Sequence, residues 1–219
     1  MSIFAYDPNA AKTWANSIVK YLNGDADSIY SNSKKFTDQI EKLVQPNVWT
    51  GAAAAKNYQN FLDTHKALVN FSNKFGEAFE QSMNAINKSV SDLEVANLGA
   101  DTNVSTTFGT LTFAELSALS EENIKKDVVR YDYATIIGIG TSLSTILQSL
   151  ETVYKNLDTK INELNNGTSI WDGDAAESAR QTLSSTLKTN MDKVIENLNI
   201  CIKNISTAAE AAQMADIGK

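Results

Sequence analysis

His65 and Cys201 are the only histidine and the only cysteine in the chain, so they are the natural place to look for chemistry. A single imidazole with no second histidine or cysteine pair cannot complete a metal site of the usual ligand count. No motif sets a nucleophile beside His65, so a catalytic triad has no basis either. His65 falls between Phe61 and Leu68 in an apolar run and reads as a structural core histidine. Cys201 sits at a core spacing and reads as a small buried hydrophobe. A lone cysteine also excludes an intramolecular disulfide.

The remaining candidates are equally bland. Gly138-Ile139-Gly140 lacks the preceding strand and the further glycines of a phosphate loop. It reads instead as a place where another backbone approaches, or as a bend. The paired acids Glu121/Glu122 and Asp172/Asp174 suit solvated helix starts. The sequence therefore predicts no enzyme, no cofactor and no metal. A net charge of −7, with no basic cluster, argues against nucleic acid and against an anionic membrane surface. The most apolar window, beginning at Ala134, is too short and too rich in Ser, Thr and Gly to span a bilayer.

What repeats is a turn. Val48-Trp49-Thr50-Gly51 and Ile170-Trp171-Asp172-Gly173 share a β-branched residue, Trp, any residue and Gly, each followed by alanines. Gly allows a tight reversal, Trp offers a large apolar cover, and small residues let two helices pack closely. Trp49, Gly51, Trp171 and Gly173 are thus the candidate turn and recognition residues.

The elements that must position these turns are helices. Only two prolines in 219 residues favour long ones. Asp7-Pro8 makes a capped start. Trp14, Ile18, Tyr21, Ile29, Phe36, Ile40 and Leu43 then mark one helix up to Pro46, with a weak polar patch near Asp25. Phe61, Leu68, Ser72, Phe75, Phe79, Met83, Ile86, Val90 and Leu93 form the seam of a second. Residues 98–120, rich in Thr, Ser and Gly, read as a partly extended linker. Ile136, Ile139, Leu143, Ile146, Leu150, Val153, Leu157, Ile161 and Leu164 mark a third helix, with Gly167 as its left-handed cap. Leu183, Leu187, Met191, Val194, Leu198, Ile205, Ala208 and Ala212 mark a fourth.

The expected fold is all-α, an antiparallel four-helix bundle of two long helical hairpins. Its divisions are 1–97, the linker 98–120, and 121–219. A helix of ~40 residues is ~60 Å long, and an extended linker of this length reaches ~75 Å. The linker can therefore run along the outside and join opposite poles.

Two Trp-X-Gly turns, each central in a helical half of about a hundred residues, resemble the WXG family of Esx-type proteins. The resemblance covers nearly the whole chain, as two units in tandem. It implies a non-enzymatic protein exported by, or acting with, a type VII secretion system. It implies a secretion ATPase or helical protein as partner, and a monomer acting as a pseudo-dimer. It also implies secretion without a signal peptide, with a cytoplasmic pool. The family's Tyr-X-X-X-Asp/Glu export signal usually follows the second helix. Here Tyr154 and Asp158 match its spacing, as do Tyr21 and Asp25, but each pair lies in the first helix of its hairpin. Two other readings stay open: an intracellular adaptor for the helical targeting domain of a secreted toxin, and a cytoplasmic helical scaffold.

Overall fold

The computed structural model describes residues 5–24, 26–94, 129–165 and 170–217. Among the described residues five helices dominate: α1 Pro8–Val19, α2 Ile29–Leu43, α3 Ala52–Glu94, α4 Tyr133–Asn162 and α5 Asp174–Ile217. Four two-residue strands accompany them: β1 Ala5–Tyr6, β2 Trp49–Thr50, β3 Arg130–Tyr131 and β4 Trp171–Asp172. The protein is mostly helical, as few breakers and long apolar seams dictate.

The expected first helix is broken. Lys20–Gly24 form a π-helical turn between α1 and α2. Asn23 and Gly24 favour helix poorly, and a Cβ on Gly24 would lie 3.0 Å from Lys20 Cγ. The wider π turn changes which side chain faces inward. Leu22 is fully buried, while Tyr21, the residue expected in the seam, is half-buried.

The linker 98–120, the paired acids Glu121 and Glu122, the cap at Gly167, Asp25, and the side chains of Val90 and Leu93 lie outside the described residues. At the end of α4 the left-handed position among the described residues is Asn165, with φ of 58°.

Contacts gather the chain into two units, each drawing on both halves of the sequence. The first comprises Met1–Ile29, Asn70–Leu111 and Thr152–Asn190. Its core sets Trp14 against Phe79, ring centroids 6.0 Å apart, and stacks Phe71 on Phe75 at 5.5 Å. Val153, Leu157 and Ile161 of α4 and Leu183 and Leu187 of α5 are buried in the same unit. The second comprises Tyr30–Val69, Thr112–Glu151 and Met191–Lys219. There Phe36 of α2 meets Phe61 of α3 at 6.1 Å. Asn204 donates to Asn57 Oδ1 at 2.9 Å, and Thr64 Oγ1 lies 3.6 Å from Cys201 Sγ. A Cβ on Gly140 would lie 3.1 Å from Ile205 Cγ2, so this glycine lets α5 approach α4. Each fully buried Leu, Ile or Phe contributes about 1.5–3 kcal/mol relative to exposure.

The third and fourth seams are buried as their spacing requires, from Ile136 to Leu164 and from Leu183 to Ile205, Cys201 included. Near the end of α5, Ala209 is the buried alanine, and Ala208 and Ala212 are half-buried.

Candidate functional site

Each Trp-X-Gly segment is tied to a short strand that leads into a helix. In the second unit β2 pairs antiparallel with β3, with Trp49 opposite Tyr131 and Thr50 opposite Arg130. Asp132 N donates to Val48 O at 2.7 Å, extending the ladder by one bond. The two rings meet edge to face, centroids 5.8 Å apart at 80°, the arrangement their quadrupoles favour. Asp132 then begins α4: its carboxylate accepts from Thr135 N at 3.2 Å and from Thr135 Oγ1 at 2.8 Å. These bonds hold its pKa below the usual carboxylate value. Gly51 follows with φ of 108°, a region side chains rarely adopt, and its carbonyl accepts from Ala55 N at 3.1 Å to open α3.

The first unit repeats this assembly. β1 pairs antiparallel with β4, with Tyr6 opposite Trp171 and Ala5 opposite Asp172. Asp7 N donates to Ile170 O at 3.3 Å. The Asp7 carboxylate accepts from Asn9 N at 2.8 Å and Ala10 N at 3.1 Å, which caps α1. Gly173 has φ of 130°, and its carbonyl accepts from Glu177 N at 3.0 Å. Position for position, Tyr-Asp before a first helix closes on Trp-X-Gly before a second. We call each assembly a clasp.

The reciprocity is the informative point. The strand before α1 closes the turn between α4 and α5, and the strand before α4 closes the turn between α2 and α3. Each half of the sequence supplies the partner of the other half's turn.

The first unit's clasp carries an added polar lock. Asn165 N donates to Trp171 O at 3.1 Å, and Asn165 Oδ1 accepts from Gly173 N at 3.1 Å. Asn165 Nδ2 donates to Glu177 Oε2 at 3.0 Å. Arg180 binds both Glu177 oxygens, at 2.6 and 2.9 Å, and donates to Asn162 Oδ1 at 2.8 Å. Hydrogen bonds from Arg180, Asn165 and Gln181 bring the Glu177 pKa down to about 2. Trp14 joins the same unit, its Nε1 donating to Lys160 O at 2.6 Å. A groove of about 350 Å³ beside it is lined by Thr13, Trp14, Lys160, Glu163 and Ile170 among others. Lys160 and Glu163 pair at 2.7 Å.

The structure brings Trp49 with Gly51, and Trp171 with Gly173, into the clasps, and it buries both rings. Trp49 is 6% exposed and Trp171 0%. A docking surface made of exposed indole is not what these turns present. Tyr154 and Asp158 lie on α4, both half-buried. Asp158 Oδ1 accepts from Ser184 Oγ of α5 at 3.5 Å. Tyr21 lies in the π turn.

Sequence reasoning found the cap at Asp7, which accepts from Asn9 N and Ala10 N as expected, but missed Tyr6 and the pair Tyr131-Asp132. The signal was present, since the same dipeptide precedes both first helices, but two-residue strands are too short to show alternation.

His65 is half-buried, and burial lowers its pKa, which favours the neutral imidazole. Burial drives the Cys201 thiol up to about 12, away from thiolate chemistry. Among the described residues, no group of three or more His, Cys, Asp and Glu could hold a metal ion. No helix among them is long and apolar enough to cross a membrane. No family model, curated protein or solved structure matches the chain.

Proposed function

We propose that this chain is a non-enzymatic, tandem WXG-type protein that a type VII secretion system exports, or that acts with such a system. In this reading each half is a helical hairpin turning at its Trp-X-Gly, and the two pack antiparallel as one four-helix bundle. One chain thus performs the work of two dimerising subunits. The reciprocal clasp carries the reading, because each Trp-X-Gly turn is closed by the strand entering the other half. An isolated hairpin has no strand from the other half with which to close its turn in this way. A secretion ATPase is the proposed partner, and the destination is the exterior, reached without a signal peptide from a cytoplasmic pool. Tyr154 and Asp158 are the proposed export signal.

The test is to detect the untagged protein in culture medium of its own host, with and without the secretion ATPase. The reading expects the protein outside only when the ATPase is present. Retention in the cytoplasm of both strains overturns export. Tyr154→Phe with Asp158→Asn then reads the signal: export should fall while the folded protein accumulates inside.

A further inference from the structure

Two asparagines of the second unit stand in its seams, where burial calls for carbon. Asn32 of α2 lies one turn before Phe36 and is 0% exposed. Asn57 of α3 lies one turn before Phe61 and is 4% exposed. The two phenylalanines that follow them are fully buried and meet each other. An asparagine in such a place gives up the burial gain of a leucine and needs a partner for its amide. Each finds that partner in the other half of the sequence. Asn32 Nδ2 donates to Ser149 Oγ of α4 at 3.0 Å. Asn57 Oδ1 accepts from Asn204 Nδ2 of α5 at 2.9 Å, with a longer bond from its neighbour Asn60 at 3.5 Å. All four residues belong to this one unit.

Apolar burial alone does not tell one half from the other. α3 and α5 have 43 and 44 residues, and each follows a Trp-X-Gly turn. Each buries a stripe with steps of three and four residues. On carbon alone, α3 would pack as well against an α3 from another copy as against α5. The amides separate these cases. Trp49 and Trp171 lie 122 residues apart, so Asn204 corresponds to Ser82 and Asn57 to Ala179. Two first halves would set Asn57 opposite Ser82, whose hydroxyl already donates to Ala78 O at 2.8 Å. Two second halves would set Asn204 opposite Ala179, whose methyl offers no hydrogen bond. Of the three pairings, that of unlike halves sets amide against amide.

We infer that Asn57 with Asn204, and Asn32 with Ser149, select the pairing of first half with second half over like pairing between copies. One buried asparagine in a helical seam makes this kind of choice in coiled coils, at a cost in stability. The device follows from the repeat: a chain built of two similar halves carries its own competitor and needs a mark that differs between them. The inference rests on the two halves pairing as proposed above, and not on export, so retention in the cytoplasm leaves it standing.

Refolding the full chain from denaturant, followed by size-exclusion chromatography with light scattering, tests it. The parent should return to one monomeric species at low and at high protein concentration. Asn57→Leu with Asn204→Leu should hold or raise the denaturant midpoint, because both partners of the bond become apolar together. The same double variant should increase the share of dimers and larger species roughly 10-fold, since an unpaired amide no longer penalises like pairing. Asn57→Leu alone should lower the midpoint by leaving Asn204 without its partner, and the second substitution should restore it. Asn32→Leu with Ser149→Ala is the independent pair and should shift assembly in the same direction. A hydrogen bond that only stabilises predicts the reverse, a double variant with a lower midpoint that is still a single monomer. That result overturns the inference, as do a parent that itself refolds to mixed species and double variants that fail to fold.

Discussion

Gly51 and Gly173 hold φ of 108° and 130°, so alanine at either position strains the backbone of its clasp. Each Gly→Ala change should cost about 1–3 kcal/mol, read as a lower denaturant midpoint. An unchanged midpoint would mean that the turns relax freely. Glu177 makes a prediction in pH. Its pKa falls from 4.5 to about 2 on folding, so its contribution is fully present above about 4.5. That contribution fades as pH drops through about 2. Glu177→Gln should flatten the loss of stability across this acid range, and identical curves for variant and parent would exclude the Asn165–Glu177–Arg180 lock. The Trp and Gly positions were legible because a large aromatic beside a glycine is rare and occurred twice. Asn165 was not legible, because its role depends on a left-handed backbone and on neighbours brought from α5.

At the scale of elements, seams with steps of three and four residues located the long helices, since burial of one stripe fixes where a helix faces. The same logic failed between Val19 and Ile29. Apolar spacing continues across that stretch, and only local propensity at Asn23 and Gly24 marks the π turn. The strands escaped for the opposite reason: each is held by a partner distant in sequence. They still make firm predictions. Asp132→Ala removes the cap of α4 and should cost about 1 kcal/mol, with Asp7→Ala costing a similar amount at α1. Equal thermal melts for parent and variant would contradict the capping role. Trp171→Ala empties a fully buried site and should cost about 3–5 kcal/mol. The same loss should leave Tyr6 without its opposite number, so amide exchange at Asp7, whose N–H bonds to Ile170, should accelerate.

For the whole molecule, each half of the sequence supplies the strand that pairs with the other half's Trp-X-Gly turn, and the proposal is that the two halves behave as two subunits. The repeat of Trp-X-Gly announced two halves, but not that their partners are exchanged, because exchange is a matter of strand pairing and not of composition. The direct measurement places a protease site within residues 98–120 of the full chain, cleaves it after folding, and follows the products by size-exclusion chromatography and circular dichroism. The account predicts that both fragments elute together as a one-to-one complex of parental size, with helix content and cooperative melting retained. Fragments that separate and stay folded on their own would contradict it, since each half would then close its own turn.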